Sequence, residues 1–214
     1  MAVYTAQSVQ KFLSEEQGKR VLYLEQTDRL TPSARDWLNT EGVEIRPKES
    51  NKPEQMTHLR KGELVPKTHP AILFRGMLDQ LQAECLLAAS EAPLQIREKL
   101  KEILSVLRLI MRCHVLDEPW QERTICGLTM EELRAHSHDP ETHYGQGHFL
   151  PEPTDSAALL QLNRLRTLVR RTELAACSGI PDRNDLIRVL NRLSSLLWIM
   201  MIERKKEAAN GTGA

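Results

Sequence analysis

One segment with helical periodicity in the last third of the chain carries polar side chains that could bind an anion. Asn163, Arg166, Arg170 and Glu173 follow one another at intervals of three, four and three residues, so they share one side of an α-helix. Arg171 flanks this row. Guanidinium groups offer planar donors and stay charged at any working pH, which suits a polyphosphate ligand. The alternative is a solvated helix face stabilised by ion pairs between successive turns.

The following apolar segment contains an amide in its middle. Asn191 lies there, with Arg188, Arg192 and Ser195 nearby. An amide at such a position is either solvated or forms hydrogen bonds within the same pocket as the arginines.

Residues 134–151 are rich in histidine. They hold four of the seven histidines of the chain: His136, His138, His143 and His148. These side chains could converge on a transition metal, but the segment has neither a C-x-x-C nor an H-E-x-x-H pattern. The alternative is a structured loop that lines a pocket. The four cysteines are also scattered, which argues against a disulfide framework and a thiolate zinc site.

Composition limits the classes of protein that fit. The chain has 214 residues, 29 positive and 29 negative side chains and 41% hydrophobic residues. These values are typical of a soluble globular protein with one domain and a small appendage. A balanced charge gives no overall field that would attract nucleic acid or an anionic membrane. No apolar run approaches the roughly 20 residues of a membrane span, and the N-terminus lacks an export signal. We therefore expect a cytoplasmic protein.

The secondary structure that must position these side chains is predicted to change near residue 68, from strands and one helix to helices alone. In the first part, "RVLYLEQ" and "GVEIRP" predict two strands, and between them Thr31 and Pro32 start a helix that ends at Gly42. Residues 48–67 are polar and predict a loop. We expect an α/β extension with a linker over residues 1–68, a helical domain over residues 69–208 and a disordered tail over residues 209–214.

The second part predicts an all-α fold, a five-helix bundle of four long helices and a short one. The long helices are expected to start at Pro70 and Pro93 and after the caps Asp155 and Asp182. The short helix carries a capping box, Thr129 with Glu132, and "CSGIP" joins the last two helices antiparallel. In the second long helix, apolar residues recur at bundle spacing: Leu100, Ile103, Leu104, Leu107 and Met111.

Several segments resemble one enzyme family. "LRTLVRRTEL" and "LNRLSSLLWIMM" resemble the R-x-x-x-R-R-x-E and N-R-L-S-D helices of the PduO-type ATP:cobalamin adenosyltransferases. "ELVPKTHPAILFRGMLDQLQAE" resembles the family's V-P-K-D-x-P segment, and "HFLPEPTDSAALLQLNR" its F-I-L-P-G-G segment. "RLTPSARDWLNTEGVEI" and "SHDPETHYGQGHFLP" resemble the ethanolamine-utilisation (EutT) branch.

The resemblance implies a trimer of five-helix bundles with active sites between subunits. Such enzymes transfer the 5'-deoxyadenosyl group of ATP to the cobalt of reduced cobalamin and release triphosphate. Fixed cations near the phosphates lower the barrier because the leaving group gathers negative charge. The resemblance assigns this role to Arg166, Arg170 and Arg171 with Mg2+, while Glu173 orients them or the ribose.

The resemblance also implies the nucleotide contacts. Asn191 is expected to bind the nucleotide, and Ser195 stands where the family has an aspartate, which removes a carboxylate partner for an arginine. "MTHLRKGE" occupies the place of the family's phosphate loop. Its candidates for contacts to the β- and γ-phosphates are Thr57, Arg60, Lys61 and Gly62.

Cobalt reduction requires a further residue. The family displaces the lower axial ligand of cobalt with an aromatic side chain of the F-I-L-P segment. The spacing here differs by one residue, so Phe149 is the expected counterpart, whereas a gapless alignment selects His148, which could ligate cobalt. Some members carry H-x11-C-C-x2-C as a metal site. Counted from His69, its cysteine positions are Leu81, Gln82 and Cys85, so we expect no such metal site.

Two non-catalytic alternatives remain at this point: a metal carrier or sensor that uses the histidine-rich loop, and a corrinoid chaperone. For the enzyme, ATP, cobalamin and Mg2+ are the expected ligands, and a homotrimer is the expected assembly. The EutT resemblance adds two further expectations. These are an adenosylcobalamin-dependent ammonia-lyase or its reactivase as partner, and association with a bacterial microcompartment.

Overall fold

The computed structural model describes residues 2–16, 18–25, 27–48, 52–59 and 62–211. This part of the chain is mainly helical, with a small sheet part. It forms two compact units, Met1–Glu54 and Gln55–Ala214. None of the helices in these ranges is long and apolar enough to cross a bilayer.

The first unit contains the predicted β-α-β element. Strand β3 (Lys19–Leu24) pairs in parallel with β5 (Glu44–Pro47), and α1 (Pro32–Thr40) connects them. The side chain of Thr31 accepts a hydrogen bond from the backbone N–H of Ala34, as a cap at the helix start does. This part of the sequence-based prediction is confirmed.

Smaller elements complete the first unit. Strand β2 (Leu13–Glu16) lies antiparallel to β3, and β1 (Val3–Tyr4) pairs in parallel with β4 (Arg29–Leu30). A 3₁₀ turn, Val9–Phe12, precedes β2. The sheet and α1 bury a small apolar cluster: Val9, Leu22, Leu38 and Val43.

The segment predicted as a loop over residues 48–67 contains a hairpin. Strand β6 (Met56–His58) pairs antiparallel with β7 (Leu64–Pro66), with Thr57 opposite Val65. The prediction of an unbroken loop is therefore wrong. Period-2 alternation was too short here to be recognised, because each strand has only three residues.

Six helices follow in the described part of the second unit. They are α2 (Pro70–Glu91), α3 (Leu94–Leu116), α4 (Met130–His138), α5 (Pro140–Tyr144), α6 (Ala157–Gly179) and α7 (Asn184–Ala209). The capping box is present, since Thr129 accepts from the Glu132 N–H while the Glu132 carboxylate accepts from the Thr129 N–H. Helix α5 was not predicted; it is a single short turn that Asp139 caps.

Two predicted caps are wrong. Ser156 caps α6 through its hydroxyl, because the oxygens of Asp155 accept from the Glu152 N–H and from Lys205. The residue before α7 is Arg183 instead of Asp182, and it makes no side-chain cap. Its guanidinium instead donates to the carbonyls of Cys113 and Glu118, which fixes the start of α7 against the end of α3.

Helices α6 and α7 lie antiparallel, as predicted. Hydrogen bonds join Asn191 to Glu173 and Lys205 to Asp155, so residue numbers rise along α7 as they fall along α6. The predicted buried face of α3 is confirmed: Leu100, Ile103, Leu104 and Leu107 are buried, and Met111 packs against the core.

One close approach fixes the end of α6 against the start of α2. A Cβ atom at Gly179 would lie 2.6 Å from the carbonyl oxygen of Pro70. Only glycine leaves room for the two backbones to approach so closely. The contact holds the start of α2, which directly follows the β6–β7 hairpin.

Candidate functional site

A cavity of about 420 Å³ lies among α4, α6, α7 and the segment that precedes α6. Of the predicted site residues, five line it: His148, Phe149, Arg166, Arg170 and Ser195. The remaining lining residues are Ser137, His138, Leu150, Pro151, Ser194 and Trp198. The cavity thus joins a cationic wall from α6 to an aromatic wall.

Arg166 forms the inner part of the cationic wall. Its guanidinium donates two hydrogen bonds to Oδ1 of Asn163, at 3.0 and 3.3 Å, and its Cζ lies 5.5 Å from the centre of the Trp198 ring. Burial and the charge of Arg170 lower the pKa of Arg166 from its ordinary value. Burial without a carboxylate is unfavourable for a cation, and a bound anion would compensate for it.

Arg170 forms the outer, exposed part of this wall. Among the described carboxylates, none forms a salt bridge with Arg166 or Arg170. By contrast, Arg164 on the same helix pairs with Glu84 at 2.8 Å. The alternative of a face stabilised by ion pairs therefore does not describe the side of α6 that borders the cavity. Two guanidiniums without carboxylates make a local site for a polyanion.

Arg171 is exposed and does not line the cavity. It follows Arg170 by one residue, which turns its side chain about 100° around the helix. Sequence spacing had already separated it from the row that begins at Asn163.

A hydrogen-bonded chain extends the cationic wall toward the start of α7. Asn191 donates to Oε1 of Glu173 at 2.8 Å, and Arg192 donates to Oδ1 of Asn191 at 2.7 Å. Burial lowers the pKa of Arg192, and the like charges of Arg134 and Arg188 lower it further. Two residues that were predicted separately, Asn191 and Glu173, are thus brought together, one helical turn beyond the cavity serines on α7.

Trp198 organises the aromatic wall. Its ring stacks on Phe149, with centroids 5.1 Å apart, and on His148, with centroids 5.8 Å apart. The ammonium of Lys205 lies 5.5 Å from the centre of the Phe149 ring. The sequence interpretation missed Trp198, because it lies in the apolar run "LLWIMM". Its spacing of four and three residues from Ser194 and Ser195 was the available signal.

The four histidines of residues 134–151 divide between two places. The prediction of a loop is wrong for three of them, since His136 and His138 lie on α4 and His143 lies on α5. His138 and His148 border the cavity, and Nε2 of His148 lies 3.4 Å from the His138 carbonyl oxygen. His136 stacks on His143 at 3.8 Å, and its Nδ1 lies 2.9 Å from the Tyr144 hydroxyl. In the described ranges, no three His, Cys, Asp or Glu side chains are grouped so that they could hold a metal ion.

The hairpin residues predicted to contact phosphates lie away from the cavity lining. Thr57 is on β6, and Gly62 lies before β7 with a φ of 79°, a conformation that favours glycine. The carbonyl of His58 accepts from Arg75 at 3.5 Å, which attaches the hairpin to α2. Arg60 and Lys61 lie outside the described residues.

Comparison with known proteins identifies the family. The family model described as cobalamin adenosyltransferase matches residues 49–203. The chain belongs to the cobalamin adenosyltransferase family. It is 36% identical over 157 residues to the corrinoid adenosyltransferase EutT of Salmonella typhimurium, covering 71% of this chain and 59% of that relative. It is 35% identical over 159 residues to EutT of Escherichia coli K12, covering 72% and 60% respectively. The match therefore spans about three fifths of these relatives.

Solved structures share the fold of this family. A variant of the PduO-type ATP:corrinoid adenosyltransferase from Lactobacillus reuteri, complexed with cobalamin and ATP, superposes with a TM-score of 0.58. The identity is 16%, over 76% of this chain and 94% of that one. A second variant, complexed with ATP, gives a TM-score of 0.57 at 17% identity, over 77% and 94%. The resemblance inferred from the sequence is confirmed, and the neighbours establish the shared fold.

Proposed function

We propose that the chain transfers the 5'-deoxyadenosyl group of ATP to cob(I)alamin, forming adenosylcobalamin and triphosphate. The observation that carries this proposal is the cavity itself. Arg166 and Arg170, which form no salt bridge with a described carboxylate, make one wall, and the stacked rings of Phe149 and Trp198 make another. A nucleotide triphosphate and an apolar macrocycle require these two kinds of wall side by side. The names of the EutT relatives support the same reaction.

The cationic wall stabilises the triphosphate leaving group. Cobalt(I) donates an electron pair to C5' of the nucleotide, the C5'–O bond breaks, and triphosphate leaves with the electrons of that bond. Negative charge grows on the bridging oxygen, and preorganised donors at that position lower the barrier. We assign this to Arg166 and Arg170. Arg171, which does not line the cavity, is the weaker candidate. Glu173 and Asn191 form one hydrogen-bonded unit that orients the ribose or base.

Mg2+ accompanies ATP in this proposal. The ion prefers an octahedron of oxygens and is commonly held by substrate phosphates, water and one or two carboxylates. Glu173 is the predicted site carboxylate, and its Oε1 accepts from Asn191. Phosphate oxygens and water would therefore supply most of the coordination, and Mg2+ would neutralise part of the triphosphate charge.

Phe149 is our candidate for the residue that excludes the lower ligand of cobalt. The Phe149 ring is half-buried, with Trp198 stacked on it and the Lys205 ammonium 5.5 Å away, whereas His148 is exposed. A fixed apolar ring keeps a coordinating group away from the metal, which favours a four-coordinate cobalt. Ser195 lines the same cavity and offers a hydroxyl for the nucleotide instead of the family's carboxylate.

We further propose a homotrimer of five-helix bundles, with residues 69–208 as the catalytic domain and residues 1–68 as an extension and phosphate-loop linker. Thr57 and Gly62 lie outside the cavity lining of their own chain. A neighbouring subunit could supply them together with Arg60 and Lys61. Helices α2 and α6 expose apolar side chains suited to association: Leu73, Leu87 and Leu174 are each more than half exposed.

The physiological setting follows the EutT name of the relatives. The product would serve ethanolamine utilisation, with an adenosylcobalamin-dependent ammonia-lyase or its reactivase as the receiving partner. Association with a bacterial microcompartment is part of the same proposal.

The decisive assay incubates the protein with ATP, Mg2+ and chemically reduced cobalamin. We expect the spectrum of adenosylcobalamin to appear while one triphosphate is released per product. The absence of product would contradict the proposal. Cobalamin binding without triphosphate release would indicate a corrinoid chaperone. Tight Zn2+, Ni2+ or Cu2+ binding that requires His136, His138 and His143, without turnover, would indicate a metal carrier.

A further inference from the structure

The ring of Phe149 belongs to a segment that has no regular structure of its own. Residues 146–152 form neither a helix nor a strand, and a turn over residues 153–155 leads into α6. Pro151 and Pro153 carry no N–H group, so they donate no backbone hydrogen bond. The position of the Phe149 ring must therefore depend on contacts between side chains and the neighbouring helices.

Two side chains of α7 provide such contacts. Trp198 stacks on the Phe149 ring with centroids 5.1 Å apart, and the ammonium nitrogen of Lys205 lies 5.5 Å from the centre of the same ring. Trp198 and Lys205 are separated by nearly two helical turns, so they lie on one face of α7, about 10 Å apart along its axis. The ring thus contacts an indole and a cation of the same helix.

The same ammonium group joins the turn before α6 to α7. It donates to Oδ1 of Asp155 at 2.5 Å, while Oδ2 of Asp155 accepts from the Glu152 N–H at 2.8 Å. The bond from the Glu152 N–H and then that from Lys205 lower the pKa of Asp155, whose side chain is only 8% exposed. A carboxylate so shielded from water needs a partner, because an unpaired buried charge is unfavourable.

This salt bridge is not needed to start α6. Ser156 caps the helix through its hydroxyl, which accepts from the Leu159 N–H. The bond between Lys205 and Asp155 instead fixes the far end of the segment that begins at Phe149. Removal of the ammonium would therefore release both the ring and the turn behind it, while the helix cap stays in place.

We propose that Lys205 is a positioning residue for the aromatic wall of the cavity. Its ammonium fixes the Phe149 ring through a cation–π contact and fixes the following turn through Asp155, so the wall has its shape before a ligand binds. Lys205 does not line the cavity itself, so it acts on a ligand through Phe149. The inference rests on the proposed function, in which Phe149 excludes the lower ligand of cobalt.

The coordination number of bound cob(II)alamin provides the test. Electron paramagnetic resonance separates five-coordinate from four-coordinate cobalt(II), and we would measure both forms with saturating ATP and Mg2+ in the wild type, Lys205→Met and Lys205→Arg. Methionine removes the charge from a side chain of similar length, whereas arginine keeps the charge and a donor for Asp155. The ratio of four- to five-coordinate cobalt should fall about fivefold in Lys205→Met, the effect of one cation–π contact, and stay close to that of the wild type in Lys205→Arg.

Two further variants complete the series. Lys101→Met is the matched control, since Lys101 is an exposed lysine of α3 that pairs with Glu98 and does not line the cavity; it should leave the ratio unchanged. Asp155→Asn keeps an acceptor for the Glu152 N–H and removes the charge that attracts Lys205. It should lower the ratio less than Lys205→Met does, and it keeps the test valid if Lys205→Met fails to fold.

Three results would overturn the proposal. The first is an unchanged ratio in Lys205→Met, or in Asp155→Asn where Lys205→Met does not fold. The second is an equal loss in Lys205→Met and Lys205→Arg, because the charge would then have no part in the effect. The third is a weaker dissociation constant for ATP that accounts for the whole loss, since Lys205 would then act on the nucleotide.

Two readouts separate this inference from the proposed function. A wild type that forms no adenosylcobalamin from chemically reduced cobalamin loses the proposed function. The ligand-free crystal structure of Lys205→Met still tests the positioning in that case: the Phe149 ring should leave its stack on Trp198, and a ring that keeps the 5.1 Å centroid distance overturns the inference. A wild type that adenosylates cobalamin, with an unchanged coordination ratio in Lys205→Met, loses only the role of Lys205.

Discussion

The two cavities along α7 differ in how the protein neutralises their cations. In the first, Arg166 and Arg170 share no salt bridge with any described carboxylate. The second has a volume of about 440 Å³ and lies among the start of α3, the end of α5 and the last turns of α7. In it, Lys99 and Arg204 are each paired with a glutamate. Like charges held together cost free energy unless an anion joins them. The difference indicates that the first cavity, and not the second, leaves its arginines available to a highly charged ligand.

The largest expected effect comes from Arg170→Ala. Removal of one preorganised donor lowers kcat by roughly 10²-fold or more, and steady-state adenosylation assays measure it. Arg164→Ala is the matched control, because Arg164 is an exposed arginine of the same helix that is already paired with Glu84. Arg171→Ala should cost less than Arg170→Ala. If Arg170→Ala retains full activity, the first cavity is not the site of the reaction.

Gly179→Ala tests the framework that holds both cavities. The new Cβ would lie 2.6 Å from the Pro70 carbonyl oxygen, so the α6 and α2 backbones must separate. Such overpacking costs about 1–3 kcal/mol, which urea unfolding would measure as a lower midpoint. Ser178→Ala, at an exposed neighbouring position, should leave the midpoint within the error. If Gly179→Ala is as stable as the wild type, the backbones of α6 and α2 can move apart at this contact without a loss of stability.

Trp198→Leu tests the aromatic wall of the first cavity. It removes the indole ring that stacks on Phe149 and His148 and that lies under the Arg166 guanidinium. Aromatic pairs and cation–π contacts contribute about 0.5–1.5 kcal/mol each, so we expect about a tenfold lower kcat/KM for the corrinoid. Trp198→Phe keeps an aromatic surface and should lose less. If both variants retain full kcat/KM, the aromatic wall does not contact the substrate.

The smallest expected effect is on stability in acid and comes from Asp185→Asn. This variant should leave ligand binding in both cavities unchanged. Hydrogen bonds from Arg183 hold the pKa of Asp185 at about 2, below its ordinary value of 3.8. A lowered pKa stabilises the fold above pH 4 or so, and this contribution is lost as the pH falls from about 4 to about 2. Asp185→Asn should therefore lower the melting temperature at pH 7.

Below pH 2 the difference between Asp185→Asn and the wild type should vanish. The corrinoid and ATP KM values should not change, since Asp185 lies at the start of α7 and lines neither cavity. A melting difference that persists at pH 2 would mean that packing, and not the charge of Asp185, stabilises this end of the helix.

Local signals predicted most of the helical framework. Pro70, Pro93 and the pair Thr129 and Glu132 mark helix starts that the structure confirms. The predicted caps failed where a tertiary contact competed for the side chain, as Lys205 does for Asp155. Helix α5 has five residues, which is too short for periodicity to reveal.

Of the candidate site, the sequence predicted only the wall that a single helix, α6, supplies. Arg166 and Arg170 lie on one face of α6, so spacing alone placed them together. Trp198 was missed because an apolar helix offers many equivalent core positions. The second cavity combines α3, α5 and α7, and no spacing within one segment indicates that Lys99 and Tyr144 lie close to Arg204.

The ring of Phe149 is coupled to α7 through two side chains. Trp198 and Lys205, both on α7, contact its ring, and Lys205 also binds Asp155 just before α6. A substrate that pushes this ring aside must therefore work against the C-terminal turns of α7, where the second cavity also lies. Amide hydrogen exchange in residues 198–206 should therefore slow when cobalamin binds.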